Sequence, residues 1–149
     1  MITAERAYML AFSEVEGYTP SIITPADILE AQSRYLKPIL GEELLEALLD
    51  GSYPDLATEY VEVALAAYVR YLIEPLLEVR SSSSLGEAVT TASNHRVEIC
   101  CEAQHRKADA LRRRLSDYLN ANAEAFAEYN PENNPLNRCL IYGNIVQTF

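Results

Sequence analysis

The alternation of apolar and polar positions is clearest from Thr24 to Leu49, TPADILEAQSRYLKPILGEELLEALL. Thr24 stands where an N-cap belongs, with Pro25 at the first helical position and Asp27 three residues after the cap. Ile28, Ala31, Gln32, Tyr35 and Leu36 then share one side of a 3.6-residue period, with Glu30, Ser33, Arg34 and Lys37 elsewhere. Pro38 has no N–H to donate and disfavours helical geometry at the residue before it, so the helix is expected to end there. A corner through Ile39, Leu40 and Gly41 should lead into a second helix, Glu42 to Leu49. Its Leu44, Leu45, Leu48 and Leu49 are expected inward and its Glu42, Glu43 and Glu46 outward, with Asp50-Gly51 as the stop. Neither helix can bury its apolar side alone, so both need the long helices elsewhere in the chain.

Thr3 to about Phe12 reads as a short helix capped by Thr3, with Ala7, Leu10 and Ala11 on one side; Glu14 to Ser21 is a loop. After the turn and cap Ser52-Tyr53-Pro54-Asp55, Leu56 opens the most apolar helix, expected to reach about Val79. Tyr60, Val63, Ala64, Ala67, Tyr68, Tyr71 and Leu72 form a stripe that Val61, Leu65 and Val69 extend nearly all round. A helix apolar on most sides is buried on most sides, as the centre of a bundle or as a face shared with another subunit. Pro75 should kink or end it.

Residues 80–93, RSSSSLGEAVTTAS, form the one low-complexity stretch and predict a flexible loop. From Asn94 to about Tyr129 the spacing predicts the longest helix. Val97, Cys101, Gln104, Ala108, Leu111, Leu115, Tyr118, Asn122 and Phe126 recur at about 3.5 residues, the period of a helix packed along its length. Arg96, Arg106, Lys107 and Arg112 to Arg114 lie on the opposite side. NPENNP then breaks helix, and CLIY-GN-IVQTF reads as two short β stretches or an extended arm. The apolar residues of this arm, 130–149, are too many to leave in water at about 25 cal/mol per Å². The arm must dock on its own bundle or on another chain.

These elements make an all-α protein: a helical bundle of about four to five helices over 1–129, the loop 80–93, and an extended or β-hairpin arm over 130–149. The chain of 149 residues is long enough for one core without staples. Three cysteines, two adjacent, make no disulfide framework and fit a reducing compartment. MITAERAYMLAF lacks the features of a secretion leader, and the apolar run Val63 to Ile73 is broken by Arg70 well short of the ~18–20 residues of a membrane span. Cytosolic assembly is the expectation. The net charge of −10 sits in the front half, where residues 1–75 carry 13 acidic and 4 basic side chains. That argues against broad nucleic-acid binding, which needs basic surface. It fits solubility, and equally a surface that DNA passes without sticking.

Three clusters could carry chemistry. Glu42-Glu43-x-x-Glu46 followed by Glu59-x-x-Glu62 is similar to the paired acidic motifs with which all-α nucleotide pyrophosphohydrolases hold magnesium. That family has aspartate where Glu62 stands, and no lysine-rich or aromatic nucleotide pocket follows, so these glutamates read as solvated faces. Cys101 and His105, one turn apart near Glu98 and Glu102, could hold zinc, but Cys139 is the sole remote ligand candidate. A small buried cysteine beside an exposed histidine is the simpler reading. Arg112, Arg113 and Arg114 point about 100° apart on a helix, so ion pairs to the acidic front half, within or between subunits, are expected rather than one phosphate site. No Gly-rich phosphate loop, Ser/His/Asp set or CxxC pair occurs. An enzyme is not expected, and no catalytic, cofactor-binding or metal residue is assigned.

The unit with Tyr35-Leu36, Leu40-Gly41 and Leu44-Leu45 resembles the small helical head–tail connector (adaptor) proteins of tailed phages and prophages. Those chains read as an amphipathic helix ending in an aromatic–leucine pair, a short turn with glycine, and a second helix. The likeness runs more loosely through the alanine-rich and arginine-rich helices to the C-terminus. It implies a structural subunit of the virion neck, assembled in the bacterial cytoplasm. Such a subunit forms a homo-oligomeric ring below the portal protein and meets a tail-side neck protein, and DNA passes its channel without specific binding. It implies no role for individual residues. A helical adaptor unrelated to phages, or the pyrophosphohydrolase, are the alternatives.

Overall fold

The helix start at Thr24 forms as its residues dictate. The Thr24 hydroxyl accepts from the Asp27 N–H (3.3 Å), and the Asp27 carboxylate accepts from the Thr24 N–H (2.8 Å), satisfying donors that have no partner within the helix. In the computed structural model, which describes residues 2–12, 17–77, 92–142 and 145–148, this cap opens α2, Pro25–Ala31. Pro38 does not end the helix. The chain instead widens into a π turn over Gln32–Leu36, with the Lys37 N–H bonded to the carbonyl of Gln32, and α3 (Lys37–Leu49) carries on through the proline. The wider turn relieves the clash and the lost hydrogen bond that proline imposes on an α-helix. The break falls at Gly41, whose φ of 78° and ψ of 175° bend the chain inside α3. A positive φ of this kind suits glycine and strains a residue with a Cβ. Leu44, Leu45 and Leu48 are buried beyond the bend, but Leu49, expected inward, is 48% exposed.

The short helix α1, Ala4–Ala11, begins at Thr3, whose hydroxyl accepts from the Arg6 N–H, and buries Ala7. After the bend at Asp50-Gly51, α4 (Pro54–Leu56) passes through a second π turn, Ala57–Val61, into α5, Glu62–Ile73. Tyr53 precedes Pro54 in the left-handed region (φ 55°) and makes no side-chain cap, so the cap expected in Ser52–Asp55 does not form. Pro75 acts as expected, tightening the helix into a 3₁₀ turn over Glu74–Leu76. Every residue from Ala64 to Arg70 is buried, because α5 packs against α1, α2 and α6 (Ala92–Ala121) at once. Among the described residues, then, four helical stretches enclose one core, with α5 at its centre.

α6 ends at Ala121, well before the expected Tyr129. Asn122 makes the last helical bond to the Tyr118 carbonyl (3.1 Å), its side-chain amide donates to the same oxygen (2.8 Å), and its φ of −121° leaves helical geometry. Asparagine amides compete for backbone groups in this way. The buried face of α6 also drifts. Ala108 and Leu115 lie on the 3.5-residue line, but Ser116 and Leu119, which do not, are buried as well. A straight helix turns about 20° per heptad away from a 3.5-residue repeat.

NPENNP breaks the helix and then builds something. Pro131–Asn133 and Pro135–Asn137 are 3₁₀ turns, begun by Asn130 and Asn134, whose side chains accept from the N–H groups of Glu132 and Leu136. Both turns lie against α3. Beyond them the backbone of Cys139–Tyr142 runs antiparallel to Ile145–Thr148, with Cys139 opposite Thr148 and Tyr142 opposite Ile145. The flexible loop expected at 80–93 lies outside the described residues, apart from 92 and 93, which belong to α6.

Candidate functional site

The strongest concentration of interacting polar side chains lies where α5 meets α6, and Asp109 is its hub. The Tyr68 hydroxyl donates to Asp109 Oδ1 at 2.5 Å, Arg112 Nη2 lies 3.2 Å from the same oxygen, and His105 Nδ1 lies 3.7 Å from Oδ2. A column of rings surrounds it. Tyr35 from the π turn stacks on Tyr68 at 4.0 Å, the Arg112 guanidinium sits 5.8 Å above the Tyr68 ring, and Tyr71 meets the His105 ring at 4.8 Å. Burial and then the bond to Asp109 push the Tyr68 phenol well above its usual range, against the pull of Arg112. Its proton stays on the oxygen. Burial likewise raises the Cys101 thiol, and nearby Glu74 and Cys100 add to the effect. Held as a thiol, Cys101 is a poor nucleophile and a poor metal ligand.

A second buried charge lies on the other side of α5. Arg70 Nε donates to Glu74 Oε2 at 2.6 Å, with both side chains almost wholly enclosed, and its guanidinium lies 4.0 Å over the ring of Phe12. The pair fastens the end of α1 to α5 through a cation–π contact inside the core. Arg70 is thus a core residue as well as the charge that interrupts an apolar run.

The third polar cluster ties residues 130–137 back to α6. Asn134 is fully buried, and its amide nitrogen donates to Ser116 Oγ and to the Tyr129 hydroxyl, both at 2.8 Å. Tyr129 donates in turn to Asn120 Oδ1 (2.7 Å), and the side chains of Asn120 and Asn137 exchange hydrogen bonds at 2.7 and 2.8 Å. The chain therefore remains part of its own bundle through Asn137.

The residues singled out in the sequence are placed differently. Glu42 is held by Lys37 at 2.7 Å, an exposed pair that lowers the Glu42 carboxyl below its usual range. Glu62 is spent on Arg6 at 2.9 Å, joining α1 to α5. Glu43, Glu46 and Glu59 are exposed. Among the described residues no three acidic, histidine or cysteine side chains gather into a possible metal site. Within the chain, and among the described residues, Arg112–Arg114 make no ion pair to the acidic front half. Arg112 turns inward to Asp109 of its own helix, Arg114 lies 5.0 Å over the Tyr60 ring, and Arg113 points outward. Their 100° steps send them to three environments.

Sequence reasoning missed the Asn134 network and the Arg70–Glu74 pair. Each had a signal. NPEN-NPLN is a tandem of two Asn-Pro-x-Asn units, and asparagine before proline is itself a helix-start pattern. Arg70 and Glu74 stand four apart, the spacing of helical ion pairs.

What these clusters can do chemically is bind segments of the chain to one another. The Asp109 carboxylate is engaged by three neighbours, and among the described residues no activated nucleophile lies beside His105. Among the described residues no helix is long and apolar enough to cross a membrane. Comparison with protein-family models, with curated protein sequences and with solved structures finds no match.

Proposed function

We propose that this protein is a structural subunit of a phage or prophage neck, a head–tail connector that acts by assembly and not by catalysis. The observation that carries the reading is the corner unit. Tyr35 and Leu36 lie in the π turn of the first helix with Leu36 in the core, the helix runs on to the break at Gly41, and Leu44 and Leu45 bury the second helix, the same order of residues as in the connector proteins it resembles. The polar clusters support it, since each joins helices and none presents a reactive group. In this role the subunit sits in a ring below the portal, DNA passes without specific contacts, and the segment after Arg138 docks on a neighbouring subunit or on the portal. That segment is the part of the C-terminus beyond the asparagine network, and its Leu140, Ile141, Tyr142, Ile145 and Val146 provide apolar surface for such docking.

The test is deletion of residues 139–149 in a phage-producing host. Heads and tails are expected to form and remain unjoined, while the purified bundle melts at an unchanged temperature. Joined, infective particles from the deleted chain would overturn the assignment of the arm, and absence of the full-length chain from purified particles would overturn the neck role itself. Magnesium-dependent release of pyrophosphate from a nucleoside triphosphate, lost in Glu46→Ala, would replace the structural reading with an enzymatic one.

A further inference from the structure

The outer face of α3, with its C-cap Asp50, and the outer face of α6 carry opposite charge over the same length of helix. On α3, Glu42, Glu43, Glu46 and Asp50 are exposed, and between 42 and 50 no cation is exposed with them. On α6, Arg106, Lys107, Arg113 and Arg114 are exposed, and between 106 and 114 no exposed anion interrupts them. At about 100° per residue, each set of four falls within about 120° of arc, so each is a single stripe about 12 Å long. Counted from the first charge of each stripe, three of the four positions agree (42, 43 and 50 against 106, 107 and 114), while Glu46 and Arg113 fall at different places along their helices.

The two stripes do not neutralise each other within the chain. Glu43, Glu46, Lys107 and Arg113 form no ion pair among the described residues, and the two Asn-Pro turns pack on α3. Lys37 reaches only Glu42, and Glu102 reaches only Arg106.

From this complementarity we propose that the α6 stripe of one molecule docks on the α3 stripe of a second copy of the chain. Because the surfaces differ, the contact is heterologous, and each molecule offers one donor face and one acceptor face. Such contacts close into rings or propagate. The proposal deepens the neck reading by naming the contact between subunits, and it stands on the opposite charge of two exposed helix faces of similar length. The overall charge of −10 opposes association at long range. At about 0.15 M salt the screening length is about 8 Å, which damps that repulsion more than the attraction of charges in contact.

Sedimentation of the full chain at about 0.15 M and about 1 M salt tests it. At the lower salt the wild type should sediment above the 16.7 kDa of a single chain, and at the higher salt it should return to it. The variants Glu43→Lys/Glu46→Lys and Lys107→Glu/Arg113→Glu should each associate at least about tenfold more weakly, with unchanged melting temperatures because all four residues are exposed. An equimolar mixture of the two should associate again, since each supplies the charge the other lost. A wild type that stays a single chain at both salts overturns the docking, as does a reversed variant with wild-type association or a mixture that fails to recover. None of these results touches the neck role, which depends on particle composition.

Discussion

The middle of α5 and the Asn-Pro turns at 130–137 both bury polar side chains, and they hold them by different means. Around α5 the polar groups are few and are wrapped in apolar contacts: Arg70 lies between Glu74 and the Phe12 ring, and Tyr68 lies between Tyr35 and Asp109. At the C-terminal turns the polar groups carry the structure. Asn134 is enclosed by amides and hydroxyls that satisfy one another, with Leu136 and Tyr129 as the apolar supplement. The first region gains its stability from area removed from water, and its polar pairs are costly only when broken. The second has little apolar area and depends on hydrogen bonds worth about 1 kcal/mol each. Damage at α5 should therefore be global, and damage at the turns should be local.

The largest effect is expected from Arg70→Ala, which strands Glu74 in the core. Breaking a buried ion pair costs about 3–5 kcal/mol, read as a drop in the urea midpoint for the whole chain. A loss below about 1 kcal/mol would mean that the core around Phe12 is wetter than the enclosed pair implies.

Next comes Tyr68→Phe, which removes a hydrogen bond to a carboxylate and should cost about 1.5–3 kcal/mol near neutral pH. It should also change the alkaline limb of stability. The Tyr68 phenol titrates higher in the folded protein than its ordinary value of about 10. Above pH ~10 the unfolded chain loses this proton while the folded protein retains it, so folding stability falls as pH rises. Tyr35, raised by burial, and Tyr53, raised by its bond to Glu128, contribute in the same sense. The Tyr68→Phe substitution should make that decline shallower without abolishing it, and an unchanged slope in a pH series of urea melts would contradict the buried Tyr68–Asp109 bond.

At the turns, Asn134→Ala should cost about 1–3 kcal/mol by leaving buried partners unsatisfied. Hydrogen exchange should accelerate across 130–137 and the end of α6, with protection in α5 unchanged. Loss of protection in α5 to the same extent would erase the distinction between the two regions. The smallest effect belongs to Tyr129→Phe, about 1 kcal/mol, because Asn120 keeps its exchange with Asn137 and Asn134 keeps its bond to Ser116. A larger loss than in Asn134→Ala would make Tyr129 the centre of that network.

The helix starts at Thr3 and Thr24 were legible because a cap is a local device: Thr24, Pro25 and Asp27 lie within four residues and need no distant partner. The buried run of α5 was legible for a similar reason, since its composition leaves no side for water. Pro38 misled because proline breaks only the α-helical hydrogen-bond register, and a π turn offers another. Asn122 and Leu49 misled because a periodic pattern says which residues could align, not where neighbouring elements stop. The acidic cluster was legible as surface, but that Glu62 serves Arg6 depends on where α1 lies.

By itself, then, the chain's sequence determined a helical protein with a near-continuously apolar central helix, a corner at Leu40-Gly41 and a break in helix at the Asn-Pro units. Spacing and capping encode these within a few turns of backbone. Tertiary structure alone decided that Arg70 is a core residue, that Asp109 gathers Tyr68, His105 and Arg112, and that the tandem Asn-Pro units fold back on α6. Each of these joins residues from different elements, apart from the bonds along one helix. The strength of a buried charge or amide is set by what packing places around it, and no local pattern specifies that.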